Sequence, residues 1–153
     1  MVRTIYRILN MTPVRWLIAV AWMIFLTILL LQPLDNPVIP TGVKPAPPTF
    51  MRELYFSTMH ALIFSITAVI WTWTLVKHFS IRTAMWIAVI SLFVYGIGTE
   101  FAQAQTPGRA PQRIDILANA VGITTGAWVL YNWLAAFWAR YTPRPYKQSF
   151  SGW

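Results

Sequence analysis

Four long apolar runs leave this chain very few folds. They are WLIAVAWMIFLTILLLQ from Trp16 to Gln32 and LYFSTMHALIFSITAVIWTWTLV from Leu54 to Val76. The third is TAMWIAVISLFVYGIGT from Thr83 to Thr99, and the fourth is ILANAVGITTGAWVLYNWLAAFWA from Ile116 to Ala139. A hydrocarbon core about 30 Å thick takes roughly 20 apolar residues as a helix, with about 17 to 25 tolerated. All four runs fit that range. Backbone groups in lipid must be satisfied within the run, and only a helix does this for a single segment. With 57% hydrophobic and 10% charged residues among 153, the chain is too apolar for an ordinary soluble domain.

The predicted fold class is therefore all-α, a polytopic membrane protein with four transmembrane helices in one bundle. The spans are placed at 15–33, 54–77, 83–103 and 115–139, with a flexible basic tail at 140–153 and a single domain over 1–153. The first run follows a basic segment (Arg3, Arg7, Arg15), but it is longer than a signal-peptide core and no small-residue cleavage site follows. It is expected to stay as a signal-anchor helix. Absence of cysteine excludes disulfides, thiolate metal sites and a cysteine nucleophile.

Charge orients the spans. With the N-terminus inside, Arg3, Arg7, Arg15, Lys77, Arg82, Arg140, Arg144 and Lys147 fall on one side with no acid. Lys44, Arg52, Arg109 and Arg113 fall on the other with all four acids, Asp35, Glu53, Glu100 and Asp115. The net charge of +8 thus lies on one face. The positive-inside rule assigns that face, and both termini, to the cytoplasmic side of the inner membrane. Trp16, Trp71, Trp73, Trp86 and Trp138 lie near the same ends, as an aromatic belt does. The expected partners of the basic face are membrane lipids with anionic head groups, and no nucleic acid. The first outer loop carries five prolines and is expected to be extended or irregular. The KHFSIR connection and the 104–113 loop are short, which makes helices two and three, and three and four, neighbours.

Polar residues inside apolar sequence are the candidates for function, because placing them there is costly. The segment Glu100 to Gly122 holds half of the acids. Asp115, Asn119, Gly122 and Gly126 share one helix stripe. Gly96, Glu100 and Gln103 lie within about two turns on helix three, and Glu53, Ser57, His60 and Phe64 form a stripe on helix two. Two readings of this cluster stay open. Glu100, Asp115 and His60 are candidate acid-base residues, with Arg109, Gln103, Asn119 and Arg113 as binding residues. Alternatively, the arginines and carboxylates close a short loop as a structural ion-pair network. Gly96, Gly122 and Gly126 are read as helix-packing positions, and a meeting of the Gly122 face with helix three would bring Glu100 and Asp115 together. His78 is read as a boundary residue. No cofactor is implied, and the oxygen ligands are too scattered to indicate a metal.

The pattern Glu100-x-x-Gln103, Pro107-Gly108-Arg109, Asp115 and Asn119-x-x-Gly122 resembles the VanZ-like family of small membrane proteins. Order and spacing agree over some twenty residues, and the four-helix layout agrees over most of the chain. The resemblance selects Arg109 over Arg113 as the motif arginine. It implies a role at the cell envelope, such as glycopeptide tolerance of the kind associated with teicoplanin. There is one departure: the family often carries Asp-Lys-x-x-His with a later Tyr, where this chain has Phe56, Ser57, His60 and Phe64. The expected function is action on a lipid or cell-wall precursor head group. The alternatives are a non-catalytic accessory subunit of a larger membrane complex and a small proton-linked carrier, and as partners a homo-oligomer or a larger membrane complex both stay open. The carrier ranks lowest, because no helix carries an acid near its midplane.

Overall fold

The computed structural model describes residues 10–33, 38, 49–106 and 113–141. Among these residues four helices run in order: α1 Thr12–Leu31, α2 Phe50–Leu75, α3 Ile81–Gln103 and α4 Arg113–Tyr141. Each is long and apolar enough to cross a membrane. The outward surfaces match that reading. Leu17, Val94, Leu117 and Trp128 are 69%, 65%, 66% and 64% exposed. Large apolar side chains spread around a whole bundle suit lipid tails and would aggregate in water.

Local signals set the helix ends. Pro13 occupies the first turn of α1, where its missing N–H costs nothing. Thr49 and Ser80 cap α2 and α3, accepting from the Arg52 and Thr83 amides at 3.3 Å each. The Thr49 cap starts α2 at Phe50, four residues before the expected span at 54. A tight turn, with the His78 amide donating to Leu75 O at 2.9 Å, joins α2 to α3. Apart from Val38, the Pro-rich loop from 34 to 48 lies outside the described residues, as does the tail from 142 to 153, and α4 takes in the first two residues of the expected tail.

Helices α2 and α3 form the middle of the bundle, and α1 and α4 flank them without touching each other among the described residues. The core holds Leu26, Leu30, Phe64, Ala68, Leu92, Ile123 and Ala127. Lipid gives helices no hydrophobic reason to associate, so close packing and interhelical hydrogen bonds hold the bundle. Trp22 Nε1 donates to Thr67 Oγ1 at 2.9 Å, and the Thr27 and Tyr95 hydroxyls meet at 2.8 Å. The α2–α4 pair is the most extensive. A Cβ on Gly122 would lie 2.1 Å from Ala61 O, and one on Gly126 would lie 2.2 Å from Ser65 O. Only glycine lets the two backbones come that close. This corrects the conditional expectation that the Gly122 face meets helix three: it meets α2.

Arg15 marks the opposite end of the bundle. It is buried, its guanidinium lies 4.1 Å from the Trp73 ring centre, and it donates to Trp73 O and Asn10 Oδ1. The arginine therefore takes up a carbonyl near the end of α2 and locks α1 against it. His78 also has a partner there, accepting from Trp16 Nε1 at 3.1 Å.

Candidate functional site

The polar stripes of α2, α3 and α4 converge where α3 ends and α4 begins. Ser57, His60, Glu100, Asp115 and Asn119 are all buried, at 7%, 6%, 4%, 6% and 2% exposure. Five polar side chains removed from solvent in a bundle that is apolar on both faces form a site, because each needs partners that lipid cannot supply.

His60 sits at its centre. Its Nδ1 lies 3.0 Å from Asn119 Oδ1 and 3.8 Å from Glu100 Oε1. Its Nε2 lies 4.0 Å from Asp115 Oδ2. Ser57 Oγ donates to the other Asp115 oxygen, Oδ1, at 2.8 Å. The imidazole plane is 16° from that of Phe64, with centroids 6.4 Å apart, so the two rings lie nearly parallel one turn apart on α2. Helical spacing explains the convergence. Ser57, His60 and Phe64 rise on one face of α2, while Asp115 and Asn119 are one turn apart on α4.

Glycines make room for this arrangement. A Cβ on Gly96 would stand 3.3 Å from Phe64 Cε1 and 3.4 Å from Asn119 Nδ2. Gly122 and Gly126 bring α4 onto α2, and this sets Ser57 against Asp115 and His60 against Asn119. The route to a common site thus runs through the α2–α4 contact, and Glu100 joins from α3.

Other sequence candidates fall elsewhere. Gln103 is buried, but its Nε2 donates to Leu30 O at 2.9 Å and ties α3 to the end of α1. Glu53 is half-buried, nearly two turns before His60. Arg109 and the side chain of Arg113 lie outside the described residues. The bond from Ser57 to Asp115 gives Ser57 a local task which spacing alone did not reveal.

The chemistry available is that of an imidazole between two carboxylates, with an amide and a hydroxyl as orienting groups. Such a set can bind a polar group, shuttle a proton or hold a cation. One donor atom from each of His60, Glu100 and Asp115 lies within 4.8 Å of the others, so the ligands that look scattered in sequence are gathered in space. Fold and site together define a multi-pass, four-helix membrane protein with a buried polar centre near one end. No family model, curated protein or solved structure matches this chain.

Proposed function

We propose that this chain is a VanZ-like protein of the cell envelope, working at the outer face of the inner membrane. Its His60–Glu100–Asp115–Asn119 centre acts on the polar head group of a lipid or a lipid-linked cell-wall precursor. The single observation that carries this reading is the convergence of those side chains from three helices at one end of an apolar bundle. A site at that depth is reached most readily by a molecule that itself lies in the membrane with its head group at the interface. Orientation rests on charge: the acid-free basic residues mark the opposite face as cytoplasmic.

Arg109 belongs to the same reading through the motif, as the residue that holds an anionic group. Glu100, Asp115 and His60 supply acid-base function, and Asn119 orients the imidazole. The test is a set of single changes, Glu100→Gln, Arg109→Ala and Asp115→Asn, with insertion verified and with lipid composition and glycopeptide susceptibility measured. Loss of the phenotype in inserted variants sustains the proposal. Wild-type behaviour in all three assigns the cluster to packing.

The accessory-subunit alternative loses one of its supports. The Gly122–Gly126 seam, which a partner helix could have used, is filled by Ala61 and Ser65 of the same chain.

A further inference from the structure

The donor set of the buried centre fits a metal ion as well as it fits a proton. We infer that His60, Glu100 and Asp115 form a three-ligand site for a divalent first-row transition metal of the zinc type. Zinc takes imidazole nitrogen at about 2.0–2.1 Å and carboxylate oxygen at about 2.0–2.2 Å. Two such bonds span up to about 4.2 Å, and about 3.4 Å at a tetrahedral angle. The gap between His60 Nε2 and Asp115 Oδ2 is 4.0 Å, too long for a hydrogen bond and within the reach of a bridging cation. Glu100 completes a triangle of donors, one atom from each residue within 4.8 Å of the others, and its Oε1 stands 3.8 Å from the nearer ring nitrogen, Nδ1. Closing separations of up to 4.8 Å to the tetrahedral value takes side-chain movements totalling up to about 1.4 Å, shared among the three ligands.

The outer contacts point the same way, independently of the acids. A ligating histidine usually donates its other ring N–H to an oxygen, which sets the tautomer and aims the free lone pair. Here Nδ1 faces Asn119 Oδ1 at 3.0 Å, which leaves Nε2, the nitrogen beside Asp115, as the free donor. Asp115 is steadied in the same manner. Ser57 holds its Oδ1 at 2.8 Å, and Oδ2 is the oxygen turned to the imidazole. In both residues one polar atom is anchored, and the other faces its counterpart across the 4.0 Å gap. Asn119 is 2% exposed, and its Nδ2 has no hydrogen-bond partner among the described residues.

The donor types select the metal class. One nitrogen and carboxylate oxygens without thiolate suit zinc, manganese or iron(II) better than magnesium or calcium, which prefer all-oxygen sites. Three protein ligands leave the fourth zinc position open, the pattern of sites that polarise a bound oxygen. With the ion bound, His60, Glu100 and Asp115 hold it in place of serving as acid and base, and its use on a head group rests on the reading under Proposed function. Its binding does not.

The test uses the full chain, purified in mild detergent without a histidine tag, stripped with chelator and dialysed against Zn²⁺. Metal content by mass spectrometry is expected to be one zinc per chain at micromolar free zinc, and Mg²⁺ in tenfold excess should not displace it. His60→Gln and Asp115→Asn should each weaken binding at least about tenfold. Asn119→Ala should weaken it about 10- to 100-fold, as loss of an orienting partner does. Glu53→Gln, outside the centre, should leave it unchanged. Co²⁺ loading gives a second readout, since a four-coordinate nitrogen–oxygen site produces visible absorption that His60→Gln should abolish. No retained zinc in the wild type, or equal binding by folded His60→Gln and Asp115→Asn, would overturn the inference. The two proposals fail separately: zinc binding with unaltered lipid and drug phenotypes of the variants sinks only the head-group reading. Phenotype loss without zinc binding sinks only the metal.

Discussion

His60 Nδ1 and Asn119 Oδ1 lie 3.0 Å apart, and this contact joins the polar stripe of α2 to that of α4. Both residues are buried, so the bond forms away from water, where an unmet polar group costs free energy. It orients the imidazole whose second nitrogen faces Asp115. Measured interhelical hydrogen bonds in membranes are modest, however, averaging about 0.6 kcal/mol and reaching about 1.7. Asn119→Ala is therefore expected to cost about 0.5–2 kcal/mol, read by denaturant unfolding in detergent. A larger loss would mean that the bond holds the bundle together as well as orienting His60.

Close packing should outweigh that bond. Gly122→Ala and Gly126→Ala each place a methyl within 2.2 Å of a backbone oxygen on α2. Backbone cannot yield as a side chain does, so each change should cost about 1–3 kcal/mol by forcing the helices apart. Gly98 is the internal control, because a Cβ there meets nothing within 4 Å. Gly98→Ala should be neutral or stabilising by up to about 1 kcal/mol, through helix propensity. Thermal midpoints of the three variants in one detergent test the ordering.

At the other end, Arg15 should resist replacement by lysine. Arg15→Lys keeps the charge but loses the planar fork that lies over Trp73 while donating to its carbonyl. A hydrogen bond from a charged group is worth about 1.5–3 kcal/mol, so Arg15→Met should destabilise by roughly that amount, with Arg15→Lys about half as severe. Equal stability of Arg15→Lys and the parent would contradict the stacking role.

The chain has no cysteine, which makes it suited to single-cysteine mapping. Ser80, in the turn between α2 and α3, and Gln105, just beyond α3, lie at opposite ends of α3. In intact cells a membrane-impermeant thiol reagent should label Gln105→Cys, and should label Ser80→Cys only after lysis. The reverse pattern would overturn the proposed orientation and place the polar centre on the cytoplasmic side.

Much of the fold was legible because lipid permits so little. Length and hydropathy marked four spans, and each corresponds to a helix of the structure. Stripes at helical spacing found the members of the centre, since Ser57, His60, Asp115 and Asn119 each point inward as their spacing implied. What spacing could not supply was the pairing of stripes. The Gly122–Gly126 face suited any neighbour, and only the structure shows α2 filling it. Gln103 looked like a member of the cluster because it lies one turn from Glu100. In the structure it turns to Leu30 O instead. Arg15 counts in the sequence only as one of the basic residues of the cytoplasmic side, and its burial follows from an aromatic ring and a helix-terminal carbonyl that meet there. A metal was dismissed for a related reason: His60, Glu100 and Asp115 are 40 and 15 residues apart in sequence and within 4.8 Å in space.

The most direct test of the central claim, that the buried centre is the working site, is Asp115→Asn assayed in cells. Asparagine keeps the shape and can still accept from Ser57 Oγ, so the α2–α4 contact should survive. The expected result is a folded, inserted protein at normal abundance, with lipid composition and teicoplanin susceptibility matching those of cells lacking the chain. An inserted Asp115→Asn protein whose cells match the wild type in both measurements would contradict the account.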